Sequence, residues 1–580
     1  MGPRSNNQAP GHPGIPARWT SSAKSGVGTA PAVVSRVWFT LSHGILDEIY
    51  YPRVDYACTR DFGLIVTDGR GYFSEEKRDA ASVIRPVDDG VPAFMLRNVS
   101  RDGRYVIEKL VLADPRRDVV LQHVRFKPQS GAVSDYRLYA LLAPHLVNRG
   151  AHNTAWLADH KGREMLFASG SGNALALGCS APWRARSVGF VGTSDGWQDL
   201  TRHYVLTWAY DLAVDGNVAL TGEIDLAACG GEFVLALGFG RRSQEAAHRV
   251  IASLSDGVDA ALADYTAGWR TWQDGLLPLD RPSGNSNTYR ISTAVIRSHE
   301  ASSFPGGIIA SLSIPWGFNK GDEDLGGYHL VWPRDLVETA GALVAAGDFE
   351  GARRVLHWLE IAQEADRHWP QNCWLDGAPY WTGVQMDECA FPILLVDLMW
   401  REGGLRDDEL QRFWPMVLRA AGFVVRNGPV TGQDRWEEMA ATRPSHSLSR
   451  SRRSSPQPTS PIMWASRRQP CTCARPPISG TMKGAPSKVS APNAHSRPFF
   501  PHPRLGLTEI AVERLAVTRH VRAVRSPELV SLRLFKQSPD VGNQYQNHPS
   551  HRARQVLLAE PAVSATDIGL AEASRLTPIR

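Results

Sequence analysis

The spacing of apolar positions changes twice along the chain. From about residue 18 to about residue 240 the apolar residues recur at every second position or in short runs. Tyr204, Leu206, Trp208 and Tyr210 alternate with Val205, Thr207 and Ala209, and Val120, Val124 and Phe126 share one face of another strand pattern. Residues 233–239 form an apolar run cut by Gly238. Many short runs separated by Gly, Asp and Asn turns predict a β-sandwich. Two helical patterns follow, over 243–255 and 258–276, and then a loop over 278–287. Beyond it the period is helical. Phe349, Ala352, Leu356 and Leu359 fall on one face with Arg353 and Arg354 pointing away, 391–400 is nearly all apolar and reads as an inner helix, and 407–426 is a further helix.

The second change comes after Glu438. From Met439 to Thr508 there is no Asp or Glu, and stretches such as Ser449-Arg450-Ser451-Arg452-Arg453-Ser454-Ser455-Pro456 carry neither period. Such a composition buries too little apolar surface to fold, so a disordered tail is expected. Residues 1–17, rich in Pro, Gly and Asn, are also expected to be disordered.

Composition adds little to this picture. At 580 residues the chain has room for two or more domains, and 43% hydrophobic with 21% charged residues is ordinary for a globular protein. The formal charge of +5 owes much to the acid-free stretch, so it does not point to a nucleic-acid partner. Arg/Ser repeats that fold on RNA are the competing reading of the tail. The seven cysteines are scattered, and the close pair Cys471 and Cys473 lies in the tail, so neither a disulfide framework nor a metal site is expected. No charged segment followed by an apolar one opens the chain, and no apolar run reaches membrane-spanning length, which makes a cytoplasmic location the default expectation.

Candidate chemistry sits in three places. Gly432-Gln433-Asp434-Arg435-Trp436-Glu437-Glu438 sets two carboxylates beside an indole. An apolar wall raises a carboxyl pKa, and a carboxyl kept protonated near neutral pH can donate a proton to a leaving oxygen. Its plainer reading is a pair of acids at a helix start. Upstream, Gly327-Tyr328-His329-Leu330-Val331-Trp332-Pro333-Arg334-Asp335 offers a guanidinium fork and a carboxylate for vicinal hydroxyls, with Trp332 as a flat face for a pyranose ring. Here the plainer reading is a helix N-terminus with Pro333 near its first position. Between them lie Trp369, Trp374, Tyr380 and Trp381, followed by Gly383-Val384-Gln385-Met386-Asp387-Glu388. Each feature alone reads as packing, and together they favour a carbohydrate pocket.

These residues resemble glycoside hydrolase family 15, the glucoamylases and glucodextranases, in its bacterial two-domain form. The resemblance is carried by residues 309–317, 332–335, 381–388 and 435–438. It is also carried by the N-terminal stretch Arg18-Trp19-Thr20-Ser21-Ser22-Ala23-Lys24-Ser25-Gly26-Val27-Gly28 and, more loosely, by residues 37–44. It covers roughly the first three-quarters of the chain, to Glu438. It implies a multidomain, β-then-α fold: a β-sandwich with linker helices over 18–276, the first half of an (α/α)6 barrel over 286–438, and an aberrant tail over 439–580. It also implies an exo-acting enzyme that releases glucose from non-reducing ends of α-glucans with inversion and without a cofactor. By position Glu437 resembles the general acid, Glu438 and Trp436 subsite residues, and Arg334 and Asp335 the clamp on the terminal glucose, with Trp332 in the wall. Gln385, Asp387 and Glu388 resemble a pocket segment. Inversion needs a second carboxylate about 6.5–9.5 Å from the acid to activate water. The family supplies it late in the barrel, in a His-Ala-Glu-Tyr type motif that this chain does not contain.

The change after Glu438 has an explanation at the level of codons. The degenerate codons of Glu438 to His446, read one base out of frame, can encode Asp-Gly-Gly-Tyr-Ser-Pro-Phe-Thr, which extends Trp436-Glu437-Glu438 in the family's manner. Further on, to Pro461, the shifted reading can encode an apolar, helix-forming run. A frameshift at or near codon 438 is the expectation. Without the base, catalysis is expected to be severely impaired, and an inactive carbohydrate-binding relative is the alternative. The linkage attacked (α-1,4, α-1,6 or that of trehalose) stays open.

Overall fold

The computed structural model describes residues 7–280, 287–314, 319–325, 327–428 and 430–432. All of these belong to one compact unit. The expected frameshifted tail, 439–580, lies outside the described residues.

Two antiparallel sheets face each other. One runs in the order Gly26–Thr29, Trp38–Ser42, Ile45–Tyr50, Thr59–Thr67, Arg137–Pro144, Val218–Ile224, Trp183–Phe190, with Phe73–Glu75 paired beside Thr59–Thr67. The other runs Leu212–Gly216, Asn153–His160, Arg163–Gly170, Asn173–Cys179, Glu232–Gly240, Val119–Pro128, Tyr105–Ala113, Val91–Ser100, Ala80–Asp88. Three hairpins close on two residues that both have positive φ: His43-Gly44, Lys161-Gly162 and Ser171-Gly172. That geometry matches the strand twist and fixes the register, for example His160 opposite Arg163. Val120, Val124 and Phe126 are buried, as their alternation predicts. The inner faces form one apolar core in which Tyr51 stacks on Phe239 at 5.4 Å.

The break at Gly238 has a packing cause. The helix Ser243–Asp256 lies on the strand, and a Cβ at Gly238 would stand 2.7 Å from the Ala246 carbonyl oxygen and 2.7 Å from Val250 Cγ2. The next helix, Val258–Asp274, ties itself to the sandwich through Trp269 Nε1 to the Thr29 carbonyl (3.0 Å) and the Tyr265 hydroxyl to the Pro92 carbonyl (2.9 Å).

Two expectations are corrected. The alternation over 204–210 does not make a strand. Tyr204 caps the helix Gly196–His203 in the left-handed region, and the buried Asp199 carboxylate accepts the Thr207 and Trp208 amides at 2.6 and 2.7 Å. A side chain thus takes the hydrogen bonds that a ladder would have used. Residues 7–17 are not disordered either. Ala9 N donates to the Leu212 carbonyl (2.8 Å), Ile15 N to the Val191 carbonyl (3.0 Å), and Asn217 N to the Pro13 carbonyl (2.9 Å). These are backbone bonds, which leave no trace in side-chain periodicity.

The helical part comprises Thr288–Ser298, Pro333–Ala346, Phe349–Ala362, Met386–Arg401 and Asp407–Asn427. Asp348 caps Phe349–Ala362 by accepting the Gly351 amide. Ala352, Leu356 and Leu359 are buried on the face the sequence assigns them. Its core is shared with the sandwich: Trp19, Trp38, Tyr50, Val54 and Ala57 join Ile308, Leu312, Val331, Leu336 and Leu356 in one apolar cluster. Each large apolar side chain fully buried there contributes on the order of 1.5–3 kcal/mol. The architecture is therefore a β-sandwich followed by a helical region. Among the described residues no helix is long and apolar enough to cross a membrane.

Candidate active site

Two helix N-termini bring the upstream candidates together. Trp332 is the N-cap residue of Pro333–Ala346, with Pro333 at the helix start, where a missing N–H costs nothing. Gln385 is the N-cap residue of Met386–Arg401, which places Asp387 and Glu388 in its first turn, where the helix dipole favours negative charge. Arg334 bridges the two helices. Its Nε donates to Asp387 Oδ2 at 3.0 Å, and its Nη2 reaches Asp387 Oδ1 at 3.3 Å and the Gln385 side-chain carbonyl. Glu388 Oε1 lies 3.5 Å from the same nitrogen. The Arg334 side chain is 16% exposed and that of Glu388 is 0% exposed. Burial works against the guanidinium charge, and the carboxylates of Asp387, Glu388 and Asp335 outweigh it, so the Arg334 pKa is raised and the group stays charged. Asp335 is half-buried in the first turn of its own helix.

The aromatic wall stands beside this cluster. Trp332 spends its Nε1 on the Gly327 carbonyl (3.0 Å), meets Trp381 edge-to-face at 5.7 Å, and stacks with Tyr328 at 6.2 Å. Tyr380 contacts both Trp381 and Trp374. Trp369 does not belong to the wall. It is fully buried and donates to the Leu359 carbonyl, as a core residue does.

Three buried polar side chains stand here, of which sequence reasoning singled out only Gln385. Among the described residues, both ring nitrogens of His329, Asn372 Nδ2 and Gln385 Nε2 have no hydrogen-bond partner. Burial lowers the His329 pKa to about 3, so the ring is neutral at physiological pH. Asn372 holds the wall by accepting the Trp381 amide at 2.8 Å. Buried polar groups with spare capacity are uncommon. His329 was marked only by its position within the motif at 327–335, and nothing in the sequence singled out Asn372.

Trp436, Glu437 and Glu438 lie outside the described residues. Among the described residues, no three His, Cys, Asp or Glu side chains are grouped to hold a metal ion.

Comparison with known proteins gives this arrangement a relationship. Residues 9–274 match the family model described as glucodextranase, domain N, and residues 284–368 match the one described as glycosyl hydrolases family 15. The chain is related to glycoside hydrolase family 15. It is 37% identical over 440 residues to a glucoamylase of Clostridium sp. (strain G0005), an alignment that covers 76% of this chain and 61% of that protein. The family 15 relationship extends to structure. A crystal structure of a bacterial glucoamylase complexed with acarbose superposes with a TM-score of 0.72 at 35% identity, covering 77% of this chain and 64% of that one. An uncharacterized glycosyl hydrolase of Methanocaldococcus jannaschii is 29% identical over 97 residues, 17% of this chain and 16% of that protein. The chain thus spans less than two-thirds of the length of each of these relatives, and its fold over the described residues is similar to that of the bacterial glucoamylase.

Proposed function

We propose that this chain derives from a glucoamylase-type exo-α-glucosidase acting on α-glucan chain ends with inversion. The observation that carries the reading is the Arg334 cluster: a buried guanidinium held by Asp387 and Gln385 at the meeting of two helix N-termini, beside the Trp332 and Trp381 rings. In this reading Arg334 and Asp335 hold vicinal hydroxyls of the terminal glucose. Trp332 supplies the apolar face, and Gln385, Asp387 and Glu388 fix the guanidinium and line the pocket. The relationship to a glucoamylase over most of the described chain supports the assignment.

Glu437 acts as the general acid, protonating the glycosidic oxygen as the bond breaks. Trp436 and Glu438 are subsite residues around the scissile bond in this reading. The reaction completes when a second carboxylate takes a proton from the attacking water on the opposite ring face. The chain carries no His-Ala-Glu-Tyr type motif to supply it, so turnover is severely impaired. Two-carboxylate hydrolysis requires no metal. The partner is an α-glucan oligosaccharide or polysaccharide. A cytoplasmic setting belongs to the same reading, and the five free cysteines among the described residues suit a reducing compartment.

The test is glucose release from maltose, isomaltose and α,α-trehalose by the full-length chain and by a version with the frame restored at codon 438. General-base catalysis contributes roughly 10²- to 10⁴-fold, so the chain as it stands is expected to fall short by at least that lower factor. Equal turnover by the two proteins would overturn the missing-base reading. Undiminished activity of the restored enzyme after Glu437→Gln would overturn the assignment of the acid.

A further inference from the structure

The β-sandwich reaches into the pocket wall. Its loop between Ile45–Tyr50 and Thr59–Thr67 carries Arg53, Asp55 and Tyr56. The Asp55 carboxylate is fully buried, takes both Nε (2.9 Å) and Nη2 (2.6 Å) of Arg53, and accepts the Leu375 amide at 3.1 Å. Arg53 Nη1 donates to Asp376 Oδ2 at 2.8 Å, and its guanidinium lies over the rings of Tyr56 (4.4 Å) and Phe304 (4.8 Å). Tyr56 meets Trp374 edge-on at 6.3 Å. The loop itself is stiffened by Asn148, whose amide donates to the Asp55 carbonyl and whose carbonyl accepts the Ala57 amide, both at 2.9 Å.

Leu375 and Asp376 sit at the turn of the small hairpin Asn372–Cys373 and Pro379–Trp381. The far side of that hairpin touches the sugar site. Cys373 and Val331 exchange backbone hydrogen bonds at 3.0 and 2.9 Å, one residue before Trp332 and three before Arg334. Trp381 at the hairpin's end is the ring against Trp332. Hydrogen bonds at its two ends, joined by the chain from Cys373 to Leu375, therefore link Asp55 to Val331.

We propose that Arg53 and Asp55 are positioning residues for the sugar site: the sandwich sets the height of the aromatic hairpin, and through it the spacing between Trp381, Trp332 and the Arg334 clamp. This rests on the glucosidase reading of that site. The physical basis is that charge-assisted, bidentate and buried hydrogen bonds fix orientation better than apolar contact alone. Trp358 Nε1 holds the hairpin from the helical side through the Leu375 carbonyl (3.1 Å), so Leu375 is clasped from both sides and losing one clasp loosens the hairpin without releasing it.

The experiment uses the full chain with Asp376→Ala, which cuts one link at a half-exposed side chain, and Asp55→Asn, which weakens the buried one. Hydrogen exchange is followed at residues 327–335, 371–381 and, as a control, in the strand Val119–Pro128. Maltose affinity is read from tryptophan fluorescence. Both variants are expected to raise exchange in the first two segments by about 10-fold with the control strand unchanged, the signature of local opening. Maltose affinity is expected to fall by about 10-fold, a change that a remote structural residue would not produce. Exchange at 327–335 within about twofold of the parent in both variants would overturn the proposal. If the parent chain shows no maltose affinity, the glucosidase reading of the site fails, while the exchange data still decide whether the sandwich sets the hairpin.

Discussion

Replacing Arg334 by Met removes the guanidinium that pairs with Asp387, Glu388 and the Gln385 amide while keeping much of the side-chain volume. The Asp387 and Glu388 side chains are 11% and 0% exposed, so water cannot take over the role of the guanidinium. Breaking a buried pair by deleting one partner costs about 3–5 kcal/mol, because the remaining charge is stranded. Arg334 itself is 16% exposed, which places the expectation at the lower end, about 3 kcal/mol. The assay is urea unfolding followed by tryptophan fluorescence at pH 7. The transition of the helical part is identified separately from that of the sandwich, because a chain of this size need not unfold in one step. Adding Asp387→Asn and Glu388→Gln to Arg334→Met removes the stranded charges and is expected to recover most of the loss, since replacing a whole buried ionic group is often close to neutral. A loss below about 1 kcal/mol, the range of exposed pairs, would refute the reasoning, as would failure of the triple variant to recover.

Two further outcomes follow from the geometry. His145 is fully buried against Trp19 at 4.8 Å, and burial lowers its pKa to about 3. The unfolded ring titrates near 6.5, so the unfolded state binds the extra proton and stability falls as pH drops from about 6.5 toward 3, by about 2 kcal/mol at pH 5. His145→Phe is expected to reduce the loss between pH 7 and pH 5 by that amount in parallel denaturation curves, and an unchanged pH dependence would contradict it. Gly238→Ala drives a methyl into the Ala246 carbonyl, which is backbone and cannot swing aside. A destabilisation of about 1–3 kcal/mol is expected from the thermal midpoint of the sandwich, and a neutral result would mean that the Ser243–Asp256 helix is free to shift.

The helices were the most legible elements. The Phe349–Ala362 helix shows its apolar face in plain sequence, and the structure buries Ala352, Leu356 and Leu359 on it. The strands were legible where one face is buried, as in Val119–Pro128, and misread at 204–210, where Asp199 replaces the ladder with side-chain hydrogen bonds. Residues 7–17 escaped because backbone pairing to a sheet edge needs no particular side chains. In the site, Trp332, Arg334, Gln385, Asp387 and Glu388 stood out as polar and aromatic residues at two helix starts, and the structure brings them together. Asn372 and the brace at Arg53 and Asp55 were invisible, because their roles depend on partners up to about three hundred residues away in sequence. Trp436, Glu437 and Glu438 lie outside the described residues and rest on the sequence alone.

The central proposal is that this chain carries an inverting-glucosidase site and lacks the motif that would supply its general base. The most direct measurement is proton NMR of the glucose first released from maltose by the enzyme with its frame restored at codon 438, compared with the chain as it stands. The account expects β-glucose from the restored enzyme before mutarotation, and little release from the present chain. First-formed α-glucose, or ordinary turnover by the present chain, would contradict it.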